Sequence, residues 1–93
     1  MEDRENFYQK LKVQLDDTTK FPSDYLYKFI VSKEGNKVGQ LQKIFNNKGA
    51  IVSTKRSKTG KYISVSVLLK LKNSNEVITY YKQAETIEGI ISL

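Results

Sequence analysis

Two clusters in this chain have the residue types and spacing to bind an anion. The first is Lys55-Arg56-Ser57-Lys58-Thr59-Gly60-Lys61, where bases and hydroxyls surround one glycine. A guanidinium at Arg56 makes paired bonds to phosphate, and Lys55, Lys58 and Lys61 add point charges, so these four are the candidate anion-contacting patch. The Gly-x-x-x-x-Gly-Lys-Ser/Thr frame is missing, which excludes a nucleotide-hydrolysing phosphate loop. The second cluster is Gly35-Asn36-Lys37-Val38-Gly39, at the predicted start of a helix. Free N–H groups there carry partial positive charge, Gly39 allows close approach and Lys37 adds an ammonium. Asn36, Lys37 and Gly39 are therefore the candidate ligand-binding residues. Each cluster has a plain structural alternative. Asn36 can act as a simple N-cap while Gly39 packs a helix closely on a sheet, and the hairpin charges can guard a sheet edge against aggregation.

Catalysis has little to work with. The chain contains no cysteine and no histidine, which removes thiolate and imidazole ligands, nucleophiles and bases. After residue 20 the carboxylates are Asp24, Glu34, Glu76, Glu85 and Glu88, spread over separate predicted elements with no close pair on one face. General acid–base work needs a positioned group, and nothing singles one out. The expectation is a non-enzymatic domain with no cofactor and no metal.

The elements that must position these clusters follow from periodicity. Residues 4–18 predict a helix, with Phe7, Leu11 and Leu15 at four-residue spacing and Tyr8 beside them. Its stripe is thin, so residues 1–20 are an appendage and Phe21-Pro22 ends it. Residues 21–93 form the domain. Asp24 to Val31 alternates as a strand, with Tyr25, Tyr27, Phe29 and Val31 on one face and Leu26, Lys28 and Ile30 on the other. A loop over Ser32–Asn36 leads to a helix from Lys37 to Asn47 with a buried stripe of Val38, Leu41, Ile44 and Phe45, stopped by Lys48-Gly49. Ala50–Lys55 is a second strand. Gly60 opens a third, with Ile63, Val65, Val67, Leu69 and Leu71 inward and Tyr62, Ser64, Ser66, Leu68 and Lys70 outward. Asn73 or Ser74 caps a last helix carrying Val77, Ile78, Tyr81 and Ala84, and Ile87–Leu93 closes the sheet, with Gly89 a bulge. The order strand-helix-strand-strand-helix-strand predicts an α+β ferredoxin-like sandwich: a four-stranded antiparallel sheet, two helices on one face, and the extra N-terminal helix.

Several segments resemble the YbeD-like family of small bacterial proteins of unknown function. Phe21-Pro22 with Tyr25-Leu26-Tyr27-Lys28 resembles that family's opening strand. Lys58-Thr59-Gly60-Lys61-Tyr62-Ile63-Ser64-Val65-Ser66 resembles its central strand "KGNYHSVS", and Ile87-Glu88-Gly89-Ile90-Ile91-Ser92-Leu93 its closing strand. The chain departs from the family in its longer N-terminal helix and in having no histidine in the central strand. The family is similar in fold to ACT domains, regulatory modules that bind amino acids. Asn36-Lys37-Val38-Gly39-Gln40-Leu41, then Ile44-Phe45 and Gly49-Ala50-Ile51, is similar to the ACT pattern of Asp-x-Pro-Gly-x-Leu, an apolar helix and Gly-x-x-Ile. Asn36 stands where that pattern has an acid that helps orient a ligand's ammonium group, and Val38 where it has proline. The resemblance implies a regulatory domain, with amino-acid binding weakened at Asn36.

Charge then bears on partners. The net charge is +6, and between Lys48 and Lys61 there are bases but no acid. Such a field attracts nucleic acid, nucleotides and acidic proteins, although a lysine-rich surface is also ordinary for solubility. No apolar run of signal-peptide or membrane-spanning length is present, so the expected setting is cytoplasmic with no membrane contact. The function expected is a small regulatory or interaction domain that binds a small anionic metabolite or a protein partner, acting in trans. RNA binding through the basic hairpin is the alternative. It needs aromatic residues on the open sheet face, and that face offers Tyr62 followed by Ser64 and Ser66. The open face is apolar enough to pair with a second copy as a homodimer, or to be covered by the N-terminal helix.

Overall fold

The alternation at Tyr25–Val31 becomes strand β1 (Ser23–Ser32) in the computed structural model, which describes residues 4–46 and 49–93. Tyr27, Phe29 and Val31 are buried, whereas Leu26 and Lys28 on the opposite face are exposed and Ile30 is half-buried. β1 pairs antiparallel with β3 (Tyr62–Leu71), with Tyr27 opposite Val67 and Phe29 opposite Val65, so the apolar residues of both strands share one face. β2 (Ile51–Arg56) and β4 (Ile91–Ser92) flank this pair in the order β2-β3-β1-β4, and all neighbours run antiparallel. This is the predicted split βαβ sandwich.

Helices α2 (Lys37–Ile44) and α3 (Ser74–Ala84) supply Leu41, Val77, Tyr80 and Ala84 to the core on the Tyr27 face. Tyr27 is its centre, with ring centroids of Tyr81 at 4.8 Å and Phe45 at 5.3 Å. The Tyr27 hydroxyl donates to the Val77 carbonyl at 2.9 Å and so ties β1 to α3. α3 begins as expected. The Asn73 side chain accepts from the Glu76 N–H at 2.9 Å, and the Glu76 carboxylate accepts from the Lys72 N–H at 2.7 Å, a variant of the capping box.

Helix α1 (Arg4–Thr18) lies antiparallel along α3. Asp16 accepts from the Ser74 hydroxyl at 2.6 Å at one end, while Glu5 pairs with Lys82 at 2.9 Å and Arg4 with Glu85 at the other. Tyr8 and Leu15 are buried, and Leu15 joins the main core. The helix therefore docks on the helical layer, and the open face of the sheet stays uncovered by it.

Several boundaries differ from expectation. α2 ends at Ile44, not Asn47. Phe45 leaves helical angles (φ −98°, ψ 6°) and turns its ring onto Tyr80, 4.9 Å between centroids. The expected helix end Asn47 and the first residue of the expected stop, Lys48, lie outside the described residues; Gly49 has φ +70°. A short 3₁₀ turn, Glu34–Asn36, replaces part of the expected loop. β2 is shifted by one residue, which draws Arg56 into pairing with Ile63, and β3 starts at Tyr62 because Gly60 (φ +75°) belongs to the turn. The closing strand is much shorter than Ile87–Leu93. The Ile87 N–H bonds to the Ala84 carbonyl and the Ile90 N–H to the Ile87 carbonyl, so neither is free for a ladder. Gly89 (φ +74°) sits in that turn rather than in a bulge. No helix among the described residues is long and apolar enough to cross a membrane.

Candidate functional site

The turn entering α2 is built from two successive residues at positive φ, Gly35 (+79°) and Asn36 (+51°). Glycine has no steric penalty there and asparagine tolerates the conformation better than most residues, which is the local reason the chain can turn between β1 and α2 so tightly. Asn36 occupies the N-cap position but makes no side-chain cap hydrogen bond, unlike Asn73 on α3. Its amide instead sits over Gly39. A Cβ at Gly39 would lie 2.7 Å from Asn36 Nδ2 and Oδ1, so a side chain there would displace the exposed Asn36 amide, and no sheet atom lies nearer. Gln40 Nε2 donates to the Gly35 carbonyl at 3.1 Å and braces the turn. Lys37 is half-buried, and its Nζ lies 3.6 Å from the Cβ position of Gly89, so the α2 entry adjoins the α3–β4 turn. Lys37 makes no ion pair among the described residues. The three predicted ligand residues are thus together, with an uncapped helix start and an available ammonium.

The basic hairpin is held by its own hydroxyls. The Ser57 N–H bonds to the Tyr62 carbonyl at 2.9 Å, and the Tyr62 N–H returns a bond to Ser57 Oγ at 3.2 Å. Thr59 Oγ1 accepts from the Lys61 N–H at 3.4 Å. Lys55 and Arg56 are adjacent in β2 and therefore point to opposite faces: Lys55 is opposite Ser64 on the open face, and Arg56 is opposite Ile63 on the helix side. Lys58 and Lys61 stand exposed in the turn. The predicted patch is thus divided between two faces and a turn.

Two depressions escape the sequence reading. One, of about 420 Å³, lies on the open face between Lys28, Ser53, Lys55, Ser64, Ser66 and Leu93. It depends on strand register: Lys28, Ser66 and Ser53 form one cross-strand row, and Ile30, Ser64 and Lys55 the next. The only trace in the sequence is polar residues at alternate positions of otherwise apolar strands. The other, of about 410 Å³, lies between α1 and β4, walled by Phe7, Tyr8, Leu11, Tyr81, Ile90 and Leu93, with the Arg4–Glu85 pair at its rim. It exists because α1 docks beside α3, which no local pattern announces. Burial pushes the hydroxyls of Tyr8 and Tyr81 up in pKa, so both line this groove as neutral phenols. The Tyr81 hydroxyl also shares a 2.8 Å hydrogen bond with that of Tyr25.

The architecture is an α+β ferredoxin-like sandwich, and comparison with known proteins agrees on the fold. The ACT domain from GTP pyrophosphokinase of Chlorobium tepidum is similar at a TM-score of 0.54 and 10% sequence identity, over 76% of this chain and 100% of that one. At that identity the likeness concerns the fold alone. No curated protein matches the chain. The model of the DUF493 family, described as a protein of unknown function, matches residues 16–93. That match spans the whole sheet and its helices together with the end of α1, and the chain accordingly belongs to the DUF493 family, the YbeD-like proteins that its strands resemble.

Proposed function

We propose that this domain works by binding rather than by catalysis, as a regulatory or interaction module that takes a small anionic metabolite at the turn entering α2. The observation that carries the reading is the arrangement at that turn. The α2 start has no side-chain cap, and the unpaired Lys37 ammonium spans from it to the Gly89 turn. A carboxylate or phosphate seated there would meet helix N–H groups and one cation together. The ACT-domain fold of the similar structure supports a small-ligand regulatory role.

The test is a two-dimensional amide NMR titration of the labelled chain with pooled amino acids and with phosphorylated metabolites. Saturable shifts confined to Gly35–Gln40 and Gly89, weakened at least tenfold by Lys37→Ala, are the expected result. Shifts that Lys37→Ala leaves unchanged, or none with any pool, would sink the reading. Nucleic-acid binding through the hairpin would instead shift Lys55–Tyr62 and fade steeply with salt.

A further inference from the structure

We propose that the open face of the sheet docks an acidic, amphipathic helix of a partner protein. This goes beyond the metabolite site and rests only on the reading that the domain acts by binding. The residues on this face follow from the register. Leu26, Leu68 and Ile51 form an apolar row across β1, β3 and β2, and Lys28, Ser66 and Ser53 form the next row. Ile91, Ile30, Ser64 and Lys55 form a third. Cross-strand neighbours stand about 5 Å apart, and successive rows on one face about 7 Å.

Three large apolar side chains of this face stand exposed side by side. Leu26 is 49% exposed, Leu68 37% and Ile51 67% in one contiguous row, and Ile91, 50% exposed, stands two rows away across the Lys28 row. Contiguous apolar area of this kind marks an interaction surface. α1 does not cover it, because α1 is tied to α3.

Charge selects the occupant. Lys28, Lys55 and Lys70 share this face with one acid, Asp24, and none of the three lysines is ion-paired among the described residues. The hydroxyls of Ser53, Ser64 and Ser66 are likewise unpaired there and can donate. A second copy stacked face to face would oppose lysine to lysine, so the partner must supply acids. A nucleic acid would find one exposed aromatic, Tyr62, and no stacking partner on the same strand. The central depression suits a rod rather than a flat bilayer. A helix about 10 Å across, laid over the strands, sets acidic residues on the Lys28–Lys55 rows and apolar ones on Leu26, Leu68 and Ile51.

The test is an amide NMR titration of the full chain with an 18-residue helix-forming peptide carrying a leucine stripe beside a glutamate stripe. The same peptide with lysine for glutamate, and a scrambled version of equal charge, are the controls. The expected result is shifts at Leu26–Ile30, Ile51–Lys55 and Ser64–Leu68 with the first peptide alone. The double variant Lys28→Glu, Lys55→Glu and the single variant Leu68→Ser, each at exposed positions, should each weaken binding about tenfold or more. Equal binding of the scrambled peptide, shifts centred on Lys58–Lys61, or no shift overturns the proposal. So do the same shifts with inorganic phosphate alone, with phosphatidylglycerol vesicles, or on raising protein concentration without peptide. Failure of the metabolite reading would appear separately, at Gly35–Gln40.

Discussion

Replacing Tyr27 by phenylalanine removes one oxygen from the centre of the core and leaves the ring. Tyr27 is fully buried, and its hydroxyl donates to the Val77 carbonyl at 2.9 Å. That carbonyl also belongs to the α3 ladder, so the variant leaves no orphaned acceptor, and at pH 8 the cost is about 1 kcal/mol. Against a total of roughly 5–14 kcal/mol for a domain of this length, the variant still folds, with Tm lower by about 4–8 °C. Alkaline pH reverses the order. Burial, with the neighbouring Tyr81 and Tyr25 adding to it, pushes the Tyr27 hydroxyl well above the tyrosine reference of 10.0. In the unfolded chain the phenol ionises near 10, while the folded form keeps its proton. Stability from this group is therefore complete below about pH 10 and is lost as pH rises, at about 1.4 kcal/mol per pH unit. Tyr27→Phe abolishes that slope for one group, although Tyr81 retains its own. The two stability curves should cross at about pH 10.7, about 0.7 units above 10, since about 1 kcal/mol is recovered at about 1.4 kcal/mol per unit. Urea unfolding followed by far-UV circular dichroism from pH 8 to 11.5 reads both quantities. Parallel curves, or a loss above 3 kcal/mol at pH 8, would refute the reasoning.

Other consequences are equally direct. Asn73→Ala removes the acceptor for the Glu76 N–H and should lower stability by about 1 kcal/mol in denaturant unfolding. Gly60→Ala places a Cβ at φ +75°, in open space but in the left-handed region, and should cost about 1 kcal/mol by the same assay, with Gly60→Asn costing less. The Ser74 hydroxyl, followed by Lys12, holds the Asp16 carboxyl below its ordinary range, so this anchor of α1 is present at neutral pH and fails as pH drops below about 4. Hydrogen exchange should show α1 amides losing protection at pH 3 before those of β1 and β3.

Periodicity was enough for the sheet. The inward set of Tyr27, Phe29, Val31, Val65, Val67, Leu69 and Leu71 is readable from alternation, because one strand face must be apolar whatever the neighbours are. The Asn73 cap and the start of α2 are equally local, since capping involves atoms within one turn. The closing strand is shorter than periodicity predicts, because Ile87 and Ile90 are apolar like strand residues yet their N–H groups are already used in the turn after α3. The candidate turn residues Asn36, Lys37 and Gly39 were legible as a cluster. That Asn36 itself fills the space above Gly39 was not, because rotamers answer to packing rather than to spacing.

The sequence by itself determined the order of elements and which face of β1 and β3 is buried, since both depend on side-chain period and on turn chemistry a few residues long. By contrast, Phe7 of the expected α1 stripe is exposed, and Tyr80 rather than Tyr81 is the buried tyrosine of α3. Only the tertiary structure decided three further things. It set α1 against α3 and not over the sheet, it brought Lys37 of one turn to Gly89 of another, and it aligned Lys28 with Ser66 and Ser53 across three strands. Each joins residues far apart in the chain. Their meeting depends on register and docking, which follow from burying the whole core at once rather than from any local segment.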